Sequence, residues 1–153
     1  MEKVPAFYPQ VDNRIKQAGV ALVSSHLALM ECLVLPLRQG QTGQALDFDD
    51  FFATQVAVLI SFSEAVFRQA ADIRAKHNFR TPDALHFACA LASACDQFLT
   101  NDAGLKTFPG INVEVISFTR ALHAGAPAAI ADPYSQRVSV FRSTLPTTPS
   151  TTL

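Results

Sequence analysis

The sequence predicts an α/β fold with a mainly parallel sheet, and three observations predict it. Short apolar runs rich in β-branched residues alternate with longer segments of helical periodicity. Helix-starting residues stand where most of those runs end. The predicted strands and helices alternate along the chain, which makes the sheet mainly parallel. The size is right for one such domain, because 153 residues with 49 % hydrophobic content suffice for a single buried core.

Taken in order, the opening contains Pro5 and Pro9, and Val11 to Ile15 reads as part of an exposed helix. Gly19 to Val23 is an apolar, partly β-branched run that ends at Ser24 and Ser25. It is predicted as a buried parallel strand feeding a helix, with Ser25 as N-cap. Leu27, Met30, Val34 and Leu37 recur at helical spacing, so that helix runs over Leu27 to Arg38. Pro36 near its end and Gly40 just beyond are helix-stopping residues in suitable places. A second helix is predicted over Ala45 to Thr54, and Val56 to Ile60 is too short for a helix and reads as strand two.

Ser61 with Glu64 forms a capping-box pattern for a third helix, Ala65 to His77, whose last turn carries Arg74, Lys76 and His77. Thr81-Pro82-Asp83 opens the clearest helix, with Thr81 as cap, proline at the first helical position and an acid in the first turn. That helix is expected to reach Ala94 or Cys95. Gln97 to Thr100 follows as a strand, Asn101 and Asp102 as a polar turn, and Val113 to Phe118 as the last strand. Beyond His123 the chain turns to small residues, scattered prolines and the tract TLPTTPSTTL. The expected organisation is one domain over residues 1–122 and a disordered tail over residues 123–153.

Composition restricts function only loosely. With 12 Lys and Arg against 13 Asp and Glu, the net charge of -1 gives no general attraction to nucleic acid, so any such binding must be local. The three cysteines, Cys32, Cys89 and Cys95, lie in apolar segments and read as reduced core thiols. His86 and Cys89 are three apart and can in principle share a metal, but the sequence supplies no further soft ligands, and packing is the reading adopted. There is no Walker loop and no Gly-rich dinucleotide turn. No window reaches the roughly 18 apolar residues that would span a bilayer, so a soluble, cytoplasmic protein without membrane association is expected.

In a parallel sheet the functional groups collect at the carboxyl ends of the strands. Three acids are delivered there from separate segments: Glu31, in the helix after the first strand; Asp83, in the first turn of its helix; and Asp102, just past Gln97 to Thr100. Converging carboxylates repel unless a cation sits among them, and hard oxygen ligands select Mg²⁺ or Mn²⁺. Such an ion polarises a phosphodiester and acidifies a water, which makes phosphate-ester hydrolysis the natural chemistry. Each acid also has a structural reading: Asp83 complements the helix dipole, and Asp102 beside Asn101 is a turn former. Glu31 interrupts the apolar stretch ALMECLVL and needs a partner or a metal.

At these residues the sequence resembles the PIN-domain family, and in particular its VapC-like toxin branch. AADIRAKHNFRTPDALHFACALASACDQFLTND, followed by a last strand, resembles the family's helix, its P-D-A-x-H-x-A segment and its T-N-D turn in order and spacing. SSHLALMECLVLPLRQG resembles the helix that carries the family's glutamate, so the likeness spans about residues 7–118. The resemblance implies a three-layer PIN-like sandwich with a mainly parallel sheet, Glu31, Asp83 and Asp102 as catalytic metal-site acids, and Thr100 and Asn101 as supporting or substrate-contacting groups. Asp96 resembles a further family acid near the site. It also implies a Mg²⁺-dependent endoribonuclease, often a toxin held by a small antitoxin and often a homodimer.

One feature of the family pattern does not occur: an N-terminal apolar strand ending in aspartate, which lies mid-sheet in the family. The expectations that follow are a missing N-terminal strand, with Met1 an internal or misassigned start, and a truncated form that can lack activity for want of that strand. Asp12 is the nearest substitute acid, though it reads as a solvated residue. Arg74, Lys76, His77 and Arg80 can track a single-stranded RNA backbone, or can simply complement a helix end. The alternative function is a non-catalytic PIN-like protein that binds RNA or an antitoxin.

Overall fold

The computed structural model describes residues 19–116 and the strand Val140–Ser143. Val11 to Ile15 with Asp12, residues 117 and 118 of the last predicted strand, and the rest of the tail lie outside the described residues. The elements are β1 (Ala21–Ser25), α1 (His26–Arg38), α2 (Thr42–Thr54), β2 (Val58–Ile60), α3 (Glu64–His77), α4 (Thr81–Ala92), β3 (Gln97–Thr100), a 3₁₀ turn (Ala103–Thr107), β4 (Asn112–Val115) and β5 (Val140–Ser143). The class is the one predicted, α/β with a mainly parallel sheet.

Ser25 caps α1 as expected, its Oγ accepting from the Ala28 amide at 3.3 Å. The α1 helix stops at Arg38, and Gly40 takes a positive φ of 65° just past the end, a conformation that glycine reaches without a Cβ penalty. The cap of α3 is Ser63 and not Ser61: Ser63 Oγ accepts from the Val66 amide at 3.3 Å. Ser61 instead lies 3.3 Å from His26 Nδ1, so its hydroxyl is drawn toward the start of α1. The opening of α4 is shifted by one residue, with Arg80 at the cap position and Thr81 already helical. Its end falls at Ala92, before the positive φ of Ala94.

The sheet order is β2-β1-β5-β3-β4. β1 pairs with β2 and β3 with β4 in parallel, while β5 runs antiparallel to both of its neighbours. Val140–Ser143 lies inside the segment predicted to be disordered, so for these four residues the expectation is corrected: they form a strand. The position between β1 and β3, which the family resemblance gives to an N-terminal strand, is filled here by β5. β5 also sets the level of the two halves. Val23 and Phe98 both stand opposite Phe141, which places Ser25 and Thr100, two residues further along their parallel strands, at one level on the carboxyl edge.

Strand alternation decides what each face carries. Val23 and Phe98 belong to the main core with Val66, Ala70 and Ile73 of α3 and Ala84, Phe87 and Ala88 of α4. Leu22 and Leu99 belong to a smaller core on the opposite face, where Phe51 of α2 packs. Phe87 anchors the main core: its ring centroid is 4.1 Å from that of Phe108 and 4.6 Å from that of Phe98. Helices thus cover both faces, and Ser25 and Thr100 fall on the face covered by α4, the same parity as Val23 and Phe98.

Candidate acidic site at the carboxyl edge of the sheet

β1 ends in Ser25, and the chain turns directly into α1, which carries Glu31 in its second turn. Three residues separate Asp83 from His86 on α4, so the two share one helix face. His86 joins the segments: its Nε2 is 2.9 Å from Glu31 Oε2, and its Nδ1 is 3.5 Å from Ser25 Oγ. Burial makes these contacts consequential. The side chains of His86 and Glu31 are only 2 % and 9 % exposed, and Asp83 is 5 % exposed. A carboxylate interrupting an apolar helix needs a partner, and for Glu31 that partner is His86.

The third segment reaches the same edge by strand register. Thr100, fully buried, accepts from the Asp102 amide through Oγ1 at 3.1 Å, and Asp102 Oδ1 caps the 3₁₀ turn by accepting from the Gly104 amide at 2.8 Å. Between them, Asn101 Oδ1 is buried without a hydrogen-bond partner, and an orphaned acceptor is costly unless a donor or cation meets it.

The structure therefore brings Glu31, His86 and Ser25 into contact, sets Asp83 one turn from His86, and puts Thr100, Asn101 and Asp102 on the same edge. It does not bring Asp96 there. Asp96 precedes β3 and Asp102 follows it, so a four-residue strand, roughly 13 Å at about 3.3 Å per residue, separates the two ends. Among the described residues, no group of three or more His, Cys, Asp or Glu is disposed to hold a metal ion.

The predicted basic contacts are all exposed, but two have local work. Arg74 Nε donates to the Phe79 carbonyl at 3.1 Å, and Lys76 Nζ pairs with Asp72 at 2.7 Å. Arg80 stands exposed at the entrance to α4, the helix that carries Asp83. The His77 ring lies edge-on to Phe108, with centroids 5.3 Å apart.

Sequence reasoning gave His86 only a packing role beside Cys89 and gave Ser25 only a cap. A signal existed for His86, since Glu31 in ALMECLVL and His86 in ALHFACAL are isolated polar residues in apolar helices, and two such residues satisfy each other. His26 was also missed; its Nδ1 lies 3.1 Å from the Ile60 carbonyl and ties the start of α1 to the end of β2.

The cysteines are unpaired. Burial, reinforced by the neighbouring Glu31 charge, pushes the Cys32 thiol up to about 12 from 9.0; burial and Cys95 push Cys89 to about 12; burial and Asp96 push Cys95 to about 11. Folded-state values above the unfolded one mean that these thiols contribute stability in full below about pH 9 and lose it as pH rises toward 11–12. Melting temperatures should accordingly fall between pH 8.5 and 10.5. A thiol reagent at pH 7.5 should react slowly with the native protein and rapidly with all three cysteines in denaturant.

An α/β sheet with acids from three segments at its carboxyl edge has the class of architecture in which ligands generally bind at strand ends. Within that class, the chain belongs to the PIN domain family, whose model matches residues 8–111, about two thirds of its length. PIN domains are generally nucleases and generally depend on a divalent metal. No curated protein and no solved structure matches the chain. No helix among the described residues is long and apolar enough to cross a membrane.

Proposed function

We propose that this PIN-domain protein is a Mg²⁺-dependent endoribonuclease of the VapC toxin type, with Glu31, Asp83 and Asp102 as its acidic residues. The observation that carries the reading is an orphaned acceptor on an acidic edge: the buried Asn101 Oδ1 has no hydrogen-bond partner and stands beside Asp102, on the edge that also receives the buried Asp83 of α4 and, through His86, Glu31 of α1. By donor type the set fits a hard divalent cation, since it offers carboxylate and amide oxygens and no thiolate. Glu31, Asp83 and Asp102 would hold it, with Mn²⁺ as an alternative to Mg²⁺. When bound, the cation supplies polarisation of a phosphodiester and acidification of a water.

The chain's own residues do the rest. Thr100 and Asp102 hold the turn after β3 in shape, with Asn101 between them. Arg80, exposed at the mouth of α4, offers a phosphate contact, with Arg74 and Lys76 further along the neighbouring helix end. The substrate class is single-stranded or looped RNA. A cytoplasmic protein, an antitoxin partner and a homodimer complete the reading.

A second reading, a non-catalytic PIN-like protein that binds RNA or an antitoxin, is favoured by one observation: among the described residues the acids do not gather into a group of three. One pair of assays separates the two. Incubated with labelled single-stranded RNA, the intact chain should cleave in Mg²⁺ and stop in EDTA. Retention of RNA by fluorescence polarisation, with no cleavage in either condition, would establish the second reading instead.

A further inference from the structure

We propose that His86 is a positioning residue for the acidic edge: it fixes the Glu31 carboxylate through Nε2, while Ser25 fixes the His86 ring through Nδ1. The inference rests on the reading of Glu31 as a metal-site carboxylate and deepens it. The chain of contacts is continuous. The Ala28 amide donates to Ser25 Oγ at 3.3 Å, Ser25 Oγ lies 3.5 Å from His86 Nδ1, and His86 Nε2 lies 2.9 Å from Glu31 Oε2.

Donor and acceptor capacities along this chain balance. An ionised carboxylate only accepts, so Nε2 carries the proton toward Glu31. With the proton on Nε2 alone, Nδ1 is the ring's acceptor and the Ser25 hydroxyl is the group placed to donate to it, while the Ser25 oxygen receives the Ala28 amide. Ser25, at the end of β1 and at the cap of α1, is thus held by backbone on both sides, and it passes that rigidity to the ring.

A serine, a histidine and an acid in line have the order of a nucleophilic relay, but burial rules it out. Ser25 is 0 % exposed and its oxygen is engaged as a helix cap, so it cannot meet a substrate. The relay therefore points at Glu31. With Oε2 held by His86, the direction of Oε1 is set before a cation arrives, and partners that orient a ligand in this way typically govern metal affinity.

The test is Mn²⁺ binding to the full chain, read by electron paramagnetic resonance of the free ion, with folding checked by circular dichroism. His86→Phe keeps the ring volume and removes the donor; it should raise the Mn²⁺ Kd by about 10–100-fold. His86→Gln offers an amide N–H near the Nε2 position and should stay within about threefold of wild type. Glu31→Gln should lose binding at least as severely as His86→Phe.

If folded His86→Phe binds as wild type does, the positioning role is overturned while the metal-site reading stands. If the wild type binds no Mn²⁺, or Glu31→Gln binds as wild type does, the metal role of Glu31 falls and the positioning role falls with it. Should His86→Phe not fold, His86→Gln decides: retained binding supports the proposal, and a loss as large as that of Glu31→Gln overturns it.

Discussion

A chain ended at residue 122 is expected to lose its cooperative unfolding transition, whereas the full chain melts as one unit. The expectation follows from the sheet order, in which β5 is the sole element hydrogen-bonded to both β1 and β3 among the described residues. Without it the sheet separates into the pairs β2-β1 and β3-β4, each with an unpaired inner edge next to buried apolar residues such as Val23 and Phe98. Backbone hydrogen bonds contribute about 0.5–1.5 kcal/mol each, and unpaired buried groups cost more. Losing both ladders therefore approaches the entire stability of a small domain, about 5–15 kcal/mol. Thermal and urea melts of the two chains check it. Equal midpoints would mean that β1 and β3 close on each other or on solvent without β5.

The second large effect is expected from Asp83→Asn: cleavage of RNA should fall by at least about 100-fold, on the scale of losing a residue that acts on the reacting groups. The substitution is near-isosteric and keeps the volume in a place that is 95 % buried by residue surface, so the fold should survive. The amide carries no charge for a cation and presents two N–H donors where the carboxylate presents only acceptors. A drop in cleavage with an unchanged melting temperature assigns the loss to chemistry. A parallel drop in both assigns Asp83 to the stability of α4, where an acid in the first turn also suits the helix dipole.

How far these features could be read from sequence depended on how local they are. β3 was predicted over Gln97–Thr100, the same residues as observed, because a short apolar run between a helix end and a polar turn specifies itself. Ser25 as a cap was equally local. The capping of α3 was misplaced by two residues because Ser61 and Ser63 are both competent caps, and the choice is made by His26, 35 residues away, which engages Ser61. The 3₁₀ turn Ala103–Thr107 escaped because five residues carry no periodicity.

β5 was illegible for a different reason. Val140 and Phe141 are strand formers, but four residues set among small residues and scattered prolines carry little pattern, and what selects them is the opening between β1 and β3. The acids at the carboxyl edge were nameable from the alternation of strands and helices and from the family resemblance. Their partners were not: Glu31 and His86 lie 55 residues apart, and the sequence states only that each is a polar residue in need of one. Asp96 shows the converse, an acid close to Asp102 in sequence that the direction of β3 carries to the other end of the strand.

The most direct test of the acidic edge as a metal-dependent ribonuclease site is the chemistry of the ends that the intact chain leaves on a labelled RNA, with Mg²⁺ and with EDTA. Attack by a water leaves terminal monophosphates, whereas attack by the RNA's own 2′-hydroxyl leaves 2′,3′-cyclic phosphates. The account predicts fragments with monophosphate ends in Mg²⁺, none in EDTA, and none from Asp83→Asn under either condition. Cyclic ends, cleavage indifferent to EDTA, or an intact RNA in the presence of folded protein and Mg²⁺ would contradict it.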